Sequence, residues 1–124
     1  MNLNAEVKKQ FFKTFEILKT TLSVDQIPEI LSLTSYSVYA EFDAVKTVSS
    51  TGENEILKYF EDFVQRHNLI WVNVPVLKAA AHSFSDILRS LITFYGECTS
   101  TDEFGRQIVG LLQEWVGLNP SSLG

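Results

Sequence analysis

Apolar residues recur along this chain at intervals of three and four, the spacing of helices that each bury one face. Leu3, Val7, Phe11, Phe15, Leu18 and Leu22 form the first stripe, with Lys8, Lys9, Lys13 and Glu16 on the remaining faces. Ser23 is placed to cap a second helix, with Gln26 three residues on and Leu22 set to staple against Ile27. Pro28 suits a helix that begins near Asp25, which puts proline in the first turn.

Residues 31–48 are ambiguous. Tyr36, Val38, Ala40 and Phe42 alternate with Ser35, Ser37, Tyr39 and Glu41 as in a strand, while Ile30, Thr34, Val38, Phe42 and Val45 make a helical stripe. Helix is the expectation, because the neighbouring segments are helical and a lone strand has no partner; the pattern leaves room for an extended stretch near 35–42 or 69–74. Ser49-Ser50-Thr51-Gly52 reads as a loop, with Ser50 and Glu53 as a capping box. The helix that follows carries Ile56, Leu57, Phe60, Phe63, Val64 and His67 on one face and stops at Asn68. Leu69 to Val74 is an apolar connector that Pro75 ends.

A long helix is expected over 76–95, where Lys78, Asp86 and Arg89 are the only charges; so little charge suits the centre of a bundle or a subunit interface. Gly96 marks its end. Ser100-Thr101-Asp102-Glu103 caps a last helix with Phe104, Ile108, Leu111, Leu112 and Trp115 on one face, and Gly117, Pro120, Ser121 and Ser122 close it into a loose tail. The expected fold is all-α: one domain, residues 1–124, a compact bundle of about five helices.

Composition narrows the classes. A chain that is 45% hydrophobic, with nine Phe, has material for its own core. A single cysteine, Cys98, forms no internal disulfide, no apolar run is long enough to span a bilayer, and the N-terminus lacks a signal-like segment, so the cytoplasm is the expected location. Net charge of −5 argues against nucleic acid. The charge is uneven, about +2 over residues 1–20 and −6 over 21–62.

The chemistry-bearing residues do not converge. His67 and His82 match no metal-binding spacing, there is no Cys-x-x-Cys or Glu-x-x-His, and His67 reads as a structural residue at a helix end. His82 and Asp86 are four apart, with Ser83 and Ser85 near them, yet adjacent helical residues point about 100° apart and no nucleophile elbow accompanies them. The acidic residues lack the paired spacing of a metal-dependent hydrolase, the glycines form no phosphate loop, and Cys98 has no cation beside it. The expectation is therefore a non-enzymatic helical module without a cofactor or metal, acting as adaptor, regulator or inhibitor by binding a protein, a second copy of itself included. Trp71, Phe94 and Trp115 are the expected anchors of that contact. The alternative is a bundle holding a small apolar ligand in its core among Phe11, Phe15, Phe60, Phe63 and Phe84.

Overall fold

The computed structural model describes residues 5–118. Leu3, Pro120, Ser121 and Ser122 lie outside that range. The elements run α1 (Ala5–Leu18), α2 (Gln26–Ala40), α3 (Phe42–Val48), α4 (Glu53–Arg66), α5 (Val74–Ala80), a 3-10 turn (Ala81–Ser83), α6 (Phe84–Glu97) and α7 (Thr101–Leu118). The described residues contain no strand. With α5, the 3-10 turn and α6 taken as one continuous helical path, the bundle has six helical units rather than about five.

α6 is the centre of the bundle. It packs against α1, α2, α3, α4 and α7, and buries Phe84, Ile87, Leu88, Ser90, Leu91 and Phe94. This is why the sequence there is so poor in charge: a helix surrounded on most sides has few positions from which a charge can reach water. α1 lays Val7, Phe11, Phe15 and Leu18 against it, the stripe read from the sequence.

Residues 31–48 are helical, broken once at Glu41, whose backbone (φ −138°, ψ 54°) leaves the helical region between α2 and α3. α2 is wrapped by α3, α5, α6 and α7, so its buried residues spread around the axis and blur the single stripe. That blurring imitates strand alternation. Thr34 and Ser37 are satisfied within the helix, the Thr34 hydroxyl donating to the Ile30 carbonyl at 2.9 Å and that of Ser37 to the Thr34 carbonyl at 2.7 Å, while the buried Ser35 hydroxyl oxygen has no partner among the described residues.

Several local expectations need correction. The rod over 76–95 tightens into a 3-10 turn at Ala81–Ser83, where small residues press against α1 and α4. Gly96 lies inside α6, which ends with Cys98 as its cap in an extended conformation. Ser50 does not cap α4: its hydroxyl donates back to the Thr47 carbonyl in the last turn of α3 at 2.9 Å, and Gly52 takes the N-cap position of α4. At residues 69–74 the chain turns before entering α5 and forms no strand.

Other termini follow the sequence more closely. At α2 only half of the expected box forms: Gln26 reaches back to accept the Ser23 N–H at 2.9 Å, but Asp25, not Ser23, takes the N-cap position, with no side-chain cap bond; Pro28 falls in the first turn. Ser100 caps α7 by accepting the Glu103 N–H at 3.1 Å, while the Glu103 carboxylate accepts the Thr99 N–H at 2.9 Å. α4 ends in a Schellman arrangement around Asn68, which adopts a left-handed φ of 53°. The Leu69 N–H donates to the Val64 carbonyl at 3.0 Å and the Asn68 N–H to that of Gln65 at 3.2 Å.

Candidate functional site

The apolar connector after α4 cannot bury all its side chains, because the Schellman turn and the start of α5 hold its ends only a few residues apart. Val72 turns inward and is buried. Ile70 is left 89% exposed, Trp71 49% and Val74 43%. The connector is nevertheless held in place. The Asn73 N–H donates to Glu29 Oε1 of α2 at 2.7 Å, and backbone bonds tie Ile70 to Asn68 and Val72 to Leu69. Three large apolar side chains are thus presented to solvent from a hydrogen-bonded turn and the first position of α5.

The three expected anchors separate. Trp71 stands on this turn. Phe94 and Trp115 are 0% and 1% exposed and belong to the core, which is a correction to their expected place at a surface. Phe94 meets Phe104 at 5.8 Å between ring centres, and Trp115 sits edge-on to Phe15 at 5.2 Å with its indole N–H donating to Glu16 Oε1 at 3.2 Å. Both are large rings on the inner faces of α6 and α7, where burial outweighs any surface role. Ile70 and Val74 were not foreseen as anchors; the usable signal was a six-residue segment, apolar but for Asn73, confined between a helix stop and a proline.

A polar network closes the corner between α2 and α3. The Glu41 carboxylate accepts the Tyr59 hydroxyl at 2.7 Å, the Arg66 guanidinium on both oxygens, and His67 Nε2 at 2.9 Å. Since an ionised carboxylate only accepts, Nε2 carries a proton, and in a neutral ring Nδ1 accepts from the Tyr36 hydroxyl 3.3 Å away. The His67 ring also stacks on Phe63 at 4.2 Å. The Arg66 guanidinium, helped by Tyr59 and His67, holds the Glu41 carboxyl down to about 2. Burial, with the Glu41 carboxylate beside it, pushes the Tyr59 hydroxyl well above its usual range. Each oxygen of Glu41 is occupied, so the network anchors α4 to the α2–α3 corner and has no free acid or base to offer.

The remaining chemistry-bearing groups stay apart. His82 lies exposed on the 3-10 turn, and the Asp86 carboxylate approaches Arg89 at 3.9 Å instead. Burial, then Glu103 and Glu97, push the Cys98 thiol up, away from thiolate reactivity. No three His, Cys, Asp or Glu side chains among the described residues gather in a metal-binding group, and no helix among them is long and apolar enough to cross a membrane.

Grooves lie between helices on the surface of the described residues. One, of about 230 Å³, runs between α2 and α7 along Tyr36, Tyr39, Phe104, Ile108 and Val109. Another, of about 270 Å³, lies between α1 and α6. Neither is lined by Phe11, Phe15, Phe60, Phe63 or Phe84, which fill the core; Phe60 and Phe84, for example, pack at 4.8 Å. Comparison of the chain with protein-family models, with curated proteins and with solved structures found no match.

Proposed function

We propose that this protein is a non-enzymatic helical module that acts by binding another protein, with the turn between α4 and α5 as its contact surface. The observation that carries the reading is the exposure of Ile70 and Trp71 on a turn held by hydrogen bonds at both ends, with the exposed Val74 beside them at the first position of α5. Large apolar side chains left in water on a flexible loop can fold back. On a braced turn they cannot, and a partner that covers them gains the free energy of removing that area from water. Trp71 is the natural central anchor, since tryptophan at the middle of an interface carries a disproportionate share of binding energy. The partner is a protein, a second copy of this chain being one form of it. Nucleic acid is not the partner, given the net charge of −5.

Light scattering behind size-exclusion chromatography tests the self-associating form over a range of concentrations. Photo-cross-linking from position 70 in the native extract tests the other. The reading expects either a concentration-dependent dimer or one discrete cross-linked partner, lost in each case on Trp71→Ser. A chain that stays monomeric and yields no product sensitive to Trp71→Ser refutes it.

A further inference from the structure

The groove between α1 and α6 runs against the charge of the molecule as a whole. Its lining carries Lys13 and Arg89 against Asp86, a local balance of +1 on a chain of −5. Thr14 and Ser90 are each 5% exposed and so lie deep, while the exposed Lys13, Asp86 and Arg89 stand at the rim.

The donors there are under-used. Lys13 pairs with no carboxylate among the described residues, and Arg89 reaches Asp86 only at 3.9 Å, the outer limit of an ion pair. The Ser90 hydroxyl reaches Gln10 Oε1 at 3.4 Å, a stretched bond that leaves the Gln10 amide nitrogen free to donate. An ammonium, a guanidinium and an amide N–H thus share one cleft, while the deep Ser90 and Thr14 hydroxyls donate to Gln10 Oε1 and to the Gln10 carbonyl. A carboxylate offers two oxygens with about four acceptor sites, and the guanidinium fork matches it.

We propose that this groove is a binding site for a small monocarboxylate whose apolar body lies against Ile17. Asp86 sets the charge: one negative charge on the ligand is balanced by the +1 lining, whereas a second faces the Asp86 carboxylate. Ile17, 39% exposed at the groove, provides the apolar wall that favours a short hydrocarbon body over a bare inorganic anion. The site is separate from the α4–α5 turn and stands whether or not that turn binds a protein.

The test is a ¹H–¹⁵N NMR titration of the full chain with sodium butyrate at constant ionic strength, with sodium sulfate as the dianion control. The expected result is saturable shifts centred on residues 10–17 and 86–90, in the millimolar range, with sulfate weaker. Lys13→Gln and Arg89→Gln, both at exposed positions, each weaken butyrate binding roughly five- to tenfold, the scale of one charge-assisted hydrogen bond at a half-open site. Asp86→Asn tightens binding and narrows the gap to sulfate. Three results each overturn the proposal: shifts that do not saturate or that spread over all lysines, butyrate binding indifferent to both cation substitutions, or sulfate bound as tightly as butyrate by the unmodified chain.

Discussion

Glu41 leaves the helical region between α2 and α3, and its charge state governs how firmly that corner is tied to α4. Its carboxyl is held down to about 2 by Arg66, Tyr59 and His67, below the usual carboxylate range. A folded-state value lower than the unfolded one means the folded chain releases this proton more readily. The stabilisation is therefore complete above pH 4.5 and is lost as pH falls toward 2. Because Arg66 is 42% exposed, solvent screens the pair, and the contribution is smaller than the full value of the shift. Urea unfolding measured between pH 6 and pH 2 is expected to show stability falling through that window, and Glu41→Gln to remove this component of the fall. An unchanged pH profile in the glutamine variant contradicts the assignment. None of this network was legible in the sequence. Tyr36, Glu41, Tyr59 and His67 meet across 18 to 31 residues, and no local pattern encodes such a meeting.

Helix ends show where local sequence is sufficient and where it is not. Asn68 was recognisable as a stop, because asparagine tolerates the left-handed conformation that ends α4. Asn68→Gly removes the remaining steric cost and is expected to be neutral or to stabilise by up to about 1 kcal/mol, while Asn68→Ala costs about 1 kcal/mol. The two serines read as caps are expected to diverge. Ser100→Ala loses a bond to the Glu103 N–H and costs about 1 kcal/mol, whereas Ser50 is exposed, does not cap α4 and bonds only a carbonyl in the last turn of α3, so its alanine variant changes stability by less than about 0.5 kcal/mol. Thermal unfolding of the pair checks this; equal losses contradict the difference in their geometry. The Ser50 box failed because a capping pattern states only that the bonds are available, and here the preceding turn took the hydroxyl first. In α7, a Cβ added at Gly105 or Gly110 meets nothing within 4 Å, so Gly→Ala at either position is expected to raise the melting temperature, the gain being about 1 kcal/mol each.

For the molecule as a whole, the fold was legible because α1, α4 and α7 each announce a buried face, and α6 announces burial on most faces by its lack of charge, whereas α2 announces none clearly. The site was legible only in part. Which rings remain outside depends on how helices pair, and a stripe shows that a face is buried without showing by what. Phe94 and Trp115 satisfy the criteria for an anchor as well as Trp71 does, yet α1, α6 and α7 enclose them. Trp71 escaped because it lies between elements, where no helix face claims it. The two tryptophans therefore supply a decisive contrast. Trp115→Ala empties a site filled by a ring 1% exposed, orphans the Glu16 contact, and is expected to cost about 3–5 kcal/mol, enough to unfold much of the population of a small domain. Trp71→Ala removes a half-exposed ring from a turn whose backbone bonds do not depend on it, and is expected to change stability by less than about 1 kcal/mol. Chemical denaturation measures both, and acrylamide quenching in the unmodified chain should resolve one accessible and one shielded emitter. If Trp71→Ala proves as damaging as Trp115→Ala, Trp71 is a structural residue, and its exposure no longer argues for a partner. If its loss leaves the fold intact, the Trp71 variants test the proposed contact without a loss of structure to confound them.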